Sequence, residues 1–379
     1  MSEQKRKIVF LTGTRADFGK LKSLMHKLQD DQSFEVHIFV TGMHMLAKYG
    51  YTCAEVEKAG FANIYRYINQ NAFDSMDQVL GKTISGLSDY IKEVAPDMLV
   101  VHGDRVEALA GASVGALNNL LVAHIEGGEV SGTVDELIRH AVSKLSHIHF
   151  VANESAMNRL LQLGESQSSI HVIGSPDVDV MNSSTLPSIA DVRHRYRFDF
   201  EHYSILMFHP VTTELDTLAL QAETVVDQVR MSGRNYIVIY PNNDNGADAI
   251  LRAYARLNGD PRIRIYPSMR FEYFLTLLKH ADFIIGNSSG GVREAPHFGT
   301  PAINLGSRQC NRVKCDLVLN AAITREAISN ALRIVQEIPR IPVKQFGNGN
   351  SAASFHKILS IPTFWSRTVQ KHFVDRVLA

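Results

Sequence analysis

The sequence predicts an α/β protein built from two doubly wound parallel sheets, and three observations support this fold class. The chain has 379 residues, more than twice a typical domain of roughly 150 residues. Hydrophobic residues make up 45% of it and charged residues 21%, which is enough apolar material for packed cores. Short β-branched segments alternate with longer segments of helical period along the chain. That alternation is typical of βαβ units.

Two sets of strands are expected, each forming a Rossmann-like domain. The first set comprises residues 7–11, 36–40, 98–102, 121–125, 147–152 and 170–173. The second set comprises residues 204–208, 236–240, 263–266, 283–285 and 302–305. A polar, turn-rich segment from residue 181 to about residue 203 lies between them. We therefore assign residues 1–182 to an N-terminal domain, 183–202 to a linker region and 203–362 to a C-terminal domain.

Composition and charge exclude several classes of protein. Lysine plus arginine number 39 and aspartate plus glutamate also 39, so no overall basic field would attract nucleic acid or an anionic membrane. Only about five apolar residues precede Thr12, too few for a signal peptide or a membrane span, and we expect a cytoplasmic protein. Cys53, Cys310 and Cys315 form no CxxC pair, and the histidines show no HExxH spacing. Neither a disulfide framework nor a metal site is expected.

The first predicted strand ends in a glycine turn that begins a helix. The turn contains Gly13 and Arg15, and apolar residues recur at 18, 21, 24, 25 and 28. Ligands of doubly wound sheets bind beyond the carboxyl ends of the strands, and the free N–H groups and dipole of a helix start attract anions. The turn is therefore either an anion site to which Arg15 adds charge or a tight βα turn with a surface arginine.

A second glycine-rich strand end runs from Gly286 through Ser288 and Ser289 to Glu294. Its hydroxyl and backbone N–H groups suit a diphosphate. Glu294, in the first turns of the following helix, suits the vicinal hydroxyls of a ribose, as the acid of dinucleotide folds does. A purely structural glycine loop is the alternative.

Three segments concentrate carboxylates: they contain Asp104, Glu126, and Asp135 with Glu136. Thr133 and Glu136 fit a capping box, which leaves Asp135 to act on a ligand. Strands that end in Asp104 and Glu126 bring two acids to one edge of a sheet, an arrangement that suits proton transfer. The alternative for each acid is a solvated loop charge or a partner for a nearby arginine.

Polar residues also end two strands of the second domain. His209 follows the first of them, where it either clamps phosphate or exchanges protons, or is a satisfied core histidine. Asn242 follows the next strand, where its amide suits ligand recognition and turn formation equally well.

Taken together, these segments resemble one known family, the hydrolysing UDP-N-acetylglucosamine 2-epimerases of bacterial sialic acid and capsule synthesis. The matching blocks run from residue 12 to about residue 309. They are TGTRADFGKL, VHGDRVEALA, HIEGGEVSGTVDELIRHAVSKLSHIHF, GSPDVD, FHPVTTE, YPNND and GNSSGGVREAPHFGTPAINLGSRQ.

The resemblance implies a fold and a reaction. The fold is glycosyltransferase-B-like, with two Rossmann-like domains facing a cleft and a last helix, here residues 363–379, that returns to the first domain. The reaction eliminates UDP from UDP-N-acetylglucosamine and hydrates the resulting glucal to N-acetylmannosamine. It moves protons only, so no cofactor and no metal is implied. A homodimer or homotetramer is implied as well.

The resemblance also implies roles for individual residues. Proton transfer and orientation of the sugar fall to Asp104, Glu126, Asp135 and His209. UDP-sugar binding falls to Arg15, Arg105, Asn242, Ser288, Ser289, Glu294 and Arg308. Phe274 lies either near uracil or in the core of a helix.

Several alternatives share these blocks. A non-hydrolysing epimerase typically has a basic HRREN-like block, where this chain has HPVTTE, and an acidic pair in the glycine loop, where it has GVREAP. A hydrolysing epimerase of UDP-2,4-diacetamido-2,4,6-trideoxy sugars shares nearly all the blocks. A non-catalytic nucleotide-sugar-binding protein and a glycosyltransferase would have no use for the acids.

Overall fold

The computed structural model of the chain describes residues 5–71, 73–309, 312 and 315–375. It divides into two compact units. Unit 1 comprises Met1–Glu129, Asp135–Asn182 and Phe346–Ala379, and unit 2 comprises Val130–Val134 and Ser183–Gln345. Each unit is built on a parallel sheet, which confirms the predicted fold class.

Unit 1 contains a seven-stranded parallel sheet with the strand order β3-β2-β1-β4-β5-β6-β7. The strands are β1 (Arg6–Thr12), β2 (Phe34–Val40), β3 (Asn63–Arg66), β4 (Met98–His102), β5 (Leu121–Ile125), β6 (Ile148–Val151) and β7 (Ile170–Val172). Every residue of β5 and β6 is buried, as expected for inner strands of a parallel sheet.

The helices of this part of the chain are α1 (Arg15–Gln29), α2 (Cys53–Glu57), α3 (Met76–Val94), α4 (Val106–Leu117), α5 (Val134–Leu145), α6 (Glu154–Gln162) and α7 (Pro176–Met181). Helix α1 begins where the Thr14 hydroxyl accepts a hydrogen bond from the Asp17 N–H. Its apolar side chains at 18, 21, 24, 25 and 28 are buried, as their helical spacing predicts.

Unit 2 contains a six-stranded parallel sheet with the order β10-β9-β8-β11-β12-β13. Its strands are β8 (Ser204–Met207), β9 (Tyr236–Ile239), β10 (Ile263–Tyr266), β11 (Ile284–Gly286), β12 (Ala302–Leu305) and β13 (Val318–Ala321). Its helices are α8 (Ile189–Tyr196), α9 (Leu215–Met231), α10 (Ala247–Ala255), α11 (Phe271–His280), α12 (Ser289–Val292), α13 (Glu294–His297) and α14 (Arg325–Ile334).

Each sheet has a point at which the strand order reverses. In unit 1 the reversal falls between β1 and β4, and in unit 2 between β8 and β11. Open α/β sheets bind ligands outside the carboxyl ends of the strands at such points. Arg15 and Asp104 follow the two strands of the first point, and His209 and Ser288 follow those of the second.

The C-terminal part of the chain returns to unit 1. Helix α15 (Ser351–Leu359) packs Phe355 and Leu359 into the unit 1 core, together with Phe364. Residues 346–362, expected in the second domain, therefore belong to unit 1, and α8, within the expected linker, belongs to unit 2.

The helix expected over residues 363–379 is wrong for the described residues. A 3-10 helix spans Pro362–Ser366, and residues 367–375 form no helix. Instead, backbone and lysine groups of this tail form hydrogen bonds with unit 1. The Val374 N–H donates to the Gly164 carbonyl oxygen at 3.1 Å, and Lys371 Nζ donates to the Ser146 carbonyl oxygen at 2.7 Å. Residues 376–379 lie outside the described residues.

Two edge strands, β3 and β13, were absent from the predicted set, because both are short and partly exposed. Cys310 lies outside the described residues, whereas Cys53 and Cys315 are free thiols. Among the residues that the structure describes, no helix is both long and apolar enough to cross a membrane.

Two histidines of unit 1 are buried among polar groups. His44 Nε2 lies 3.1 Å from Thr12 Oγ1, and its Nδ1 lies 2.7 Å from a second threonine hydroxyl. His124 Nε2 lies 2.8 Å from the carbonyl oxygen of Gly103. Burial lowers the pKa of His44 to about 4 and that of His124 to about 3, because a charged imidazole would lose its hydration.

We expect the free energy of unfolding to fall between about pH 7.5 and about pH 5. Unfolded imidazoles take up protons below their ordinary pKa of 6.5, whereas His44 and His124 resist protonation in the fold. The stability from burying them neutral is complete above that pKa and is lost as the pH falls. The loss at pH 5 is about 2 kcal/mol for each histidine. Urea unfolding followed by circular dichroism measures it.

His44→Gln should remove about 2 kcal/mol of this difference, because the His44 imidazole no longer resists protonation in the fold. Equal unfolding free energies of the wild-type protein at the two pH values would contradict the expectation.

Candidate active site

The predicted acids of unit 1 lie at the ends of two adjacent strands. Strands β4 and β5 pair in parallel, with His102 opposite Ile125. Asp104 follows two residues after His102, and Glu126 follows directly after Ile125. The structure therefore brings both acids to the same edge of the sheet, as the sequence predicts.

Asp104 is paired with a buried arginine. Arg139, in α5, is 1% exposed, and its NH2 group forms an ion pair with Asp104 Oδ2. The NH1 group of Arg139 lies 3.6 Å from Glu129 Oε2. The guanidinium thus fixes the Asp104 carboxylate, whose side chain is 23% exposed and accessible to a ligand.

Glu126 is buried among polar groups. Its Oε1 lies 3.3 Å from Lys20 Nζ and accepts a hydrogen bond from Ser175 Oγ at 3.2 Å. Its Oε2 lies 3.5 Å from His102 Nε2. The backbone of Glu126 has φ +65°, a conformation that costs a non-glycine residue energy and is typical of functional sites.

Asp135 lies in the first turn of α5 and is partly buried. It precedes Arg139 by four residues, so both side chains lie on one face of the helix. Glu136 Oε1 is 3.4 Å from His140 Nε2.

The glycine turn after β1 is held by the side chain of Asp17. The Asp17 carboxylate accepts hydrogen bonds from the N–H groups of Gly13 at 3.0 Å and Thr14 at 2.8 Å. These two donors are occupied by the chain itself, as expected for the alternative of a tight βα turn. Arg15 NH2 lies 2.7 Å from Glu55 Oε1.

In unit 2 a buried asparagine holds His209 at the end of β8. The His209 N–H donates to Asn287 Oδ1 at 2.6 Å, and Asn287 Nδ2 donates to the His209 carbonyl oxygen at 2.9 Å. The backbone N–H of Asn242 donates to His209 Nδ1 at 3.0 Å. Since Nδ1 is an acceptor, a neutral His209 carries its proton on Nε2. The structure thus brings together His209 and Asn242, although the Asn242 contact is made by the backbone.

The glycine-serine segment after β11 forms two short helices. Ser288 caps the first, α12, with its hydroxyl accepting from the Gly290 N–H at 3.3 Å. Glu294, 3% exposed, begins the second, α13, so the expectation of one continuous helix is wrong. Phe274 in α11 packs on the open face of Gly290, where an added Cβ would lie 3.2 Å from its ring.

Two arginines of the predicted site are held by neighbouring groups. Arg308 NH1 and Gln309 Nε2 donate to the Asn287 carbonyl oxygen at 3.2 and 3.1 Å. Arg105 Nε, in unit 1, lies 3.6 Å from Glu107 Oε2. In the described part of the chain, no three His, Cys, Asp or Glu side chains form a group that could hold a metal ion.

Lys20 and Asn287 were not predicted from the sequence. Lys20 precedes Leu24 by four residues, so it lies on the apolar face of α1, and a charge on such a face signals a buried partner. Asn287 carried no comparable signal, because its contacts with His209 bridge residues 78 positions apart.

Comparisons with known proteins agree on one family. The model of a family described as UDP-N-acetylglucosamine 2-epimerase matches residues 26–360 of the chain. The chain is 47% identical over 374 residues to a UDP-N-acetylglucosamine 2-epimerase of Neisseria meningitidis serogroup B, covering 98% of this chain and 99% of that protein. It is 35% identical over 373 residues to a UDP-N,N'-diacetylbacillosamine 2-epimerase (hydrolyzing) of Legionella pneumophila, covering 97% and 98%.

Among solved structures, the fold is similar to that of Methanocaldococcus jannaschii UDP-GlcNAc 2-epimerase in complex with UDP-GlcNAc and UDP. The TM-score is 0.78 at 23% identity, with 93% of this chain and 99% of that chain covered.

We expect Asn287→Asp to lower the free energy of unfolding of unit 2 by about 2 kcal/mol, because a second carboxylate oxygen would face the His209 carbonyl oxygen. Urea unfolding followed by circular dichroism measures the change. Asn320→Asp is the matched control. Asn320 is exposed, and its Oδ1 accepts a hydrogen bond from Asn304 Nδ2 at 2.8 Å, which a carboxylate also accepts. Equal stability of the two variants would contradict the assigned role of Asn287.

Proposed function

The chain belongs to the UDP-N-acetylglucosamine 2-epimerase family, and on that premise we propose that it is a hydrolysing 2-epimerase. It converts UDP-N-acetylglucosamine and water into N-acetylmannosamine and UDP. The observation that carries this proposal is the pair of acids at the ends of β4 and β5. Asp104 and Glu126 each lie next to a cation whose side chain is less than a tenth exposed.

The reaction requires proton transfers on both faces of the sugar. In the first step, a base removes the proton from C2 while the C1–O bond to UDP breaks, and an anti elimination gives UDP and 2-acetamidoglucal. In the second step, water adds its oxygen to C1 and a proton reaches C2 from the opposite face. The sum is hydrolysis with inversion at C2. Positioned carboxylates are suitable groups for both transfers.

In this proposal Asp104 and Glu126 carry out the proton transfers. Asp135 donates to the reacting sugar or orients it, and His209 is the fourth polar group of the reaction. The fixed side chains of Asp104 and Glu126 support this assignment, because proton transfer depends on geometry within hydrogen-bond distance. The left-handed backbone at Glu126 supports it too.

UDP binding is proposed for the strand-reversal point of unit 2, where open α/β sheets bind ligands. Ser289 and Arg308 would bind the diphosphate, and Glu294 would accept hydrogen bonds from the ribose hydroxyls. The remaining groups proposed to contact the UDP-sugar are Arg15, Arg105, Asn242, Phe274 and Ser288. The packing of Phe274 on Gly290 supports a place near the nucleotide, although it equally completes the core of α11.

The choice of sugar rests on the relatives. Identity is 47% to the protein named for N-acetylglucosamine and 35% to the one named for diacetylbacillosamine, which favours UDP-N-acetylglucosamine. The product, N-acetylmannosamine, would supply sialic acid and capsule synthesis. A homodimer or homotetramer is part of the same proposal, and light scattering measures it.

The proposed reaction predicts a specific labelling result. The protein incubated with UDP-N-acetylglucosamine in D2O should release UDP and N-acetylmannosamine with deuterium at C2, because the C2 proton is replaced from solvent. Proton NMR follows both products. Intact UDP-sugar would exclude this substrate, and UDP-N-acetylmannosamine as the product would favour the non-hydrolysing reaction. Release of sugar from the UDP-diacetamido sugar alone would favour the second relative's substrate.

Changing either proposed proton-transfer acid to its amide should reduce kcat by about 100-fold or more, because general acid or base catalysis is lost. The expectation covers Asp104→Asn and Glu126→Gln, assayed by UDP release. The Kd for UDP, measured by calorimetry, should stay within about twofold of the wild-type value, since UDP binding is assigned to other residues. Glu35→Gln, the same change on β2 at a residue paired with His37, is the control and should keep its activity. Turnover near the wild-type rate in either acid variant removes that acid from the mechanism.

A further inference from the structure

The segment GSPDVD, residues 174–179, has no role in the reaction proposed above. It leads into α7 and holds two carboxylates two residues apart, Asp177 and Asp179. Two residues of an α-helix are about 200° apart around its axis, so these side chains face nearly opposite directions. Asp179 accepts hydrogen bonds from the backbone N–H groups of Ser351 at 2.8 Å and Ala352 at 2.7 Å. Asp179 therefore caps the start of α15.

Asp177 faces Lys20 instead, the residue that contacts the proposed proton-transfer group Glu126. Its Oδ2 lies 3.5 Å from Lys20 Nζ, and the same ammonium lies 3.3 Å from Glu126 Oε1. The side chains of Asp177, Glu126 and Lys20 are 1%, 4% and 9% exposed. The Lys20 ammonium thus lies between two buried carboxylates. Ser175, in the same segment, donates to Glu126 from the loop before α7.

A lysine needs more than one anchor to hold a carboxylate in a fixed orientation. Its four-carbon stem is flexible, and its ammonium has no preferred plane. Attraction between charges is strong where water is excluded, so a second buried carboxylate restricts the position of the ammonium. Helix α1 fixes the backbone of Lys20, and Asp177 fixes the end of its side chain.

We propose that Asp177 is a positioning residue for the reaction: it anchors the Lys20 ammonium so that the Glu126 carboxylate keeps a fixed orientation towards the sugar. This inference rests on the proposed function, in which Glu126 transfers a proton. Asp177 has no contact with substrate in this account and acts through Lys20. In the GSPDVD segment, Asp177 then supports the candidate site, and Asp179 stabilises the fold by capping α15.

A double-mutant cycle tests the proposal, with Asp177→Asn, Lys20→Met and the double variant in the full chain. Asp177→Asn should lower kcat about 10- to 100-fold, while KM and the Kd for UDP stay within about twofold, because only the orientation of Glu126 changes. In the Lys20→Met background, Asp177→Asn should alter kcat by less than about twofold, since Asp177 then has no ammonium to anchor. Asp177→Ser serves in the same way if the asparagine variant does not fold.

Asp179→Asn is the matched control on the same helix. It should keep kcat within about twofold and lower Tm, because it weakens the cap of α15 and leaves Lys20 in place. Wild-type kcat in Asp177→Asn, additive losses in the double variant, or equal losses of kcat in the Asp177 and Asp179 variants would overturn the proposal.

Thermal denaturation separates this proposal from the proposed function. Lys20→Met should lower Tm, because the ammonium that both carboxylates face is removed, and adding Asp177→Asn should restore part of the loss. Additive changes in Tm would overturn the anchoring of Lys20 by Asp177. If wild-type protein turned over no UDP-sugar, the proposed function and the role of Asp177 in it would fail, while the Tm cycle would still decide whether Asp177 holds Lys20.

Discussion

The pairing of buried charges is the interaction on which the rest of the unit 1 site depends. An ion removed from water costs several kcal/mol unless a partner of opposite charge accompanies it. Glu126 is 4% exposed and is matched by Lys20 from α1, and the 1% exposed Arg139 from α5 is matched by Asp104. The Glu126 carboxylate and the Arg139 guanidinium can be buried at this edge because each meets a group of opposite charge there. The packing of α1 and α5 therefore supplies the cations with which the acids at the strand ends pair.

The same rule governs the other end of α5. Glu165 accepts hydrogen bonds from His149 at 3.0 Å and Lys144 at 2.8 Å, and Lys371 Nζ lies 2.6 Å from it. Burial raises the pKa of Glu165, but these three partners outweigh that effect and lower it to about 2. Lys371 also donates to three carbonyl oxygens at the end of α5. The C-terminal tail thus stabilises the last turn of the helix whose first half carries Arg139.

Much of this fold could be predicted from the periodicity of apolar residues in the sequence. Less of the candidate active site could be predicted in this way. The bounds of β4, β5 and β12 match the sequence prediction residue for residue, because inner parallel strands are continuous apolar segments between turns. Those of the edge strand β10 match as well. The edge strand β3 has no such pattern, since half of its residues are exposed. Asp104 and Glu126 could be placed together because strand ends meet at one edge. The sequence could not predict that the Asp17 carboxylate accepts hydrogen bonds from the Gly13 and Thr14 N–H groups. Until its side-chain conformation is known, Asp17 could equally face a ligand.

In unit 2 the end of β8 is held by neutral groups, whereas ion pairs hold the strand ends of unit 1. Asn287 holds His209 through two backbone hydrogen bonds, and Gly286, at φ +136°, comes so close to β8 that an added Cβ would lie 1.8 Å from the Met207 carbonyl oxygen. This strand end is held by hydrogen bonds between neutral groups, with no carboxylate in the pair formed by Asn287 and His209. In unit 1 the Asp17 carboxylate accepts hydrogen bonds from the N–H groups of Gly13 and Thr14, just before α1. The zero net charge of the chain therefore includes two different local arrangements. Carboxylates are matched to cations in unit 1, whereas neutral donors lie beside Arg308 in unit 2.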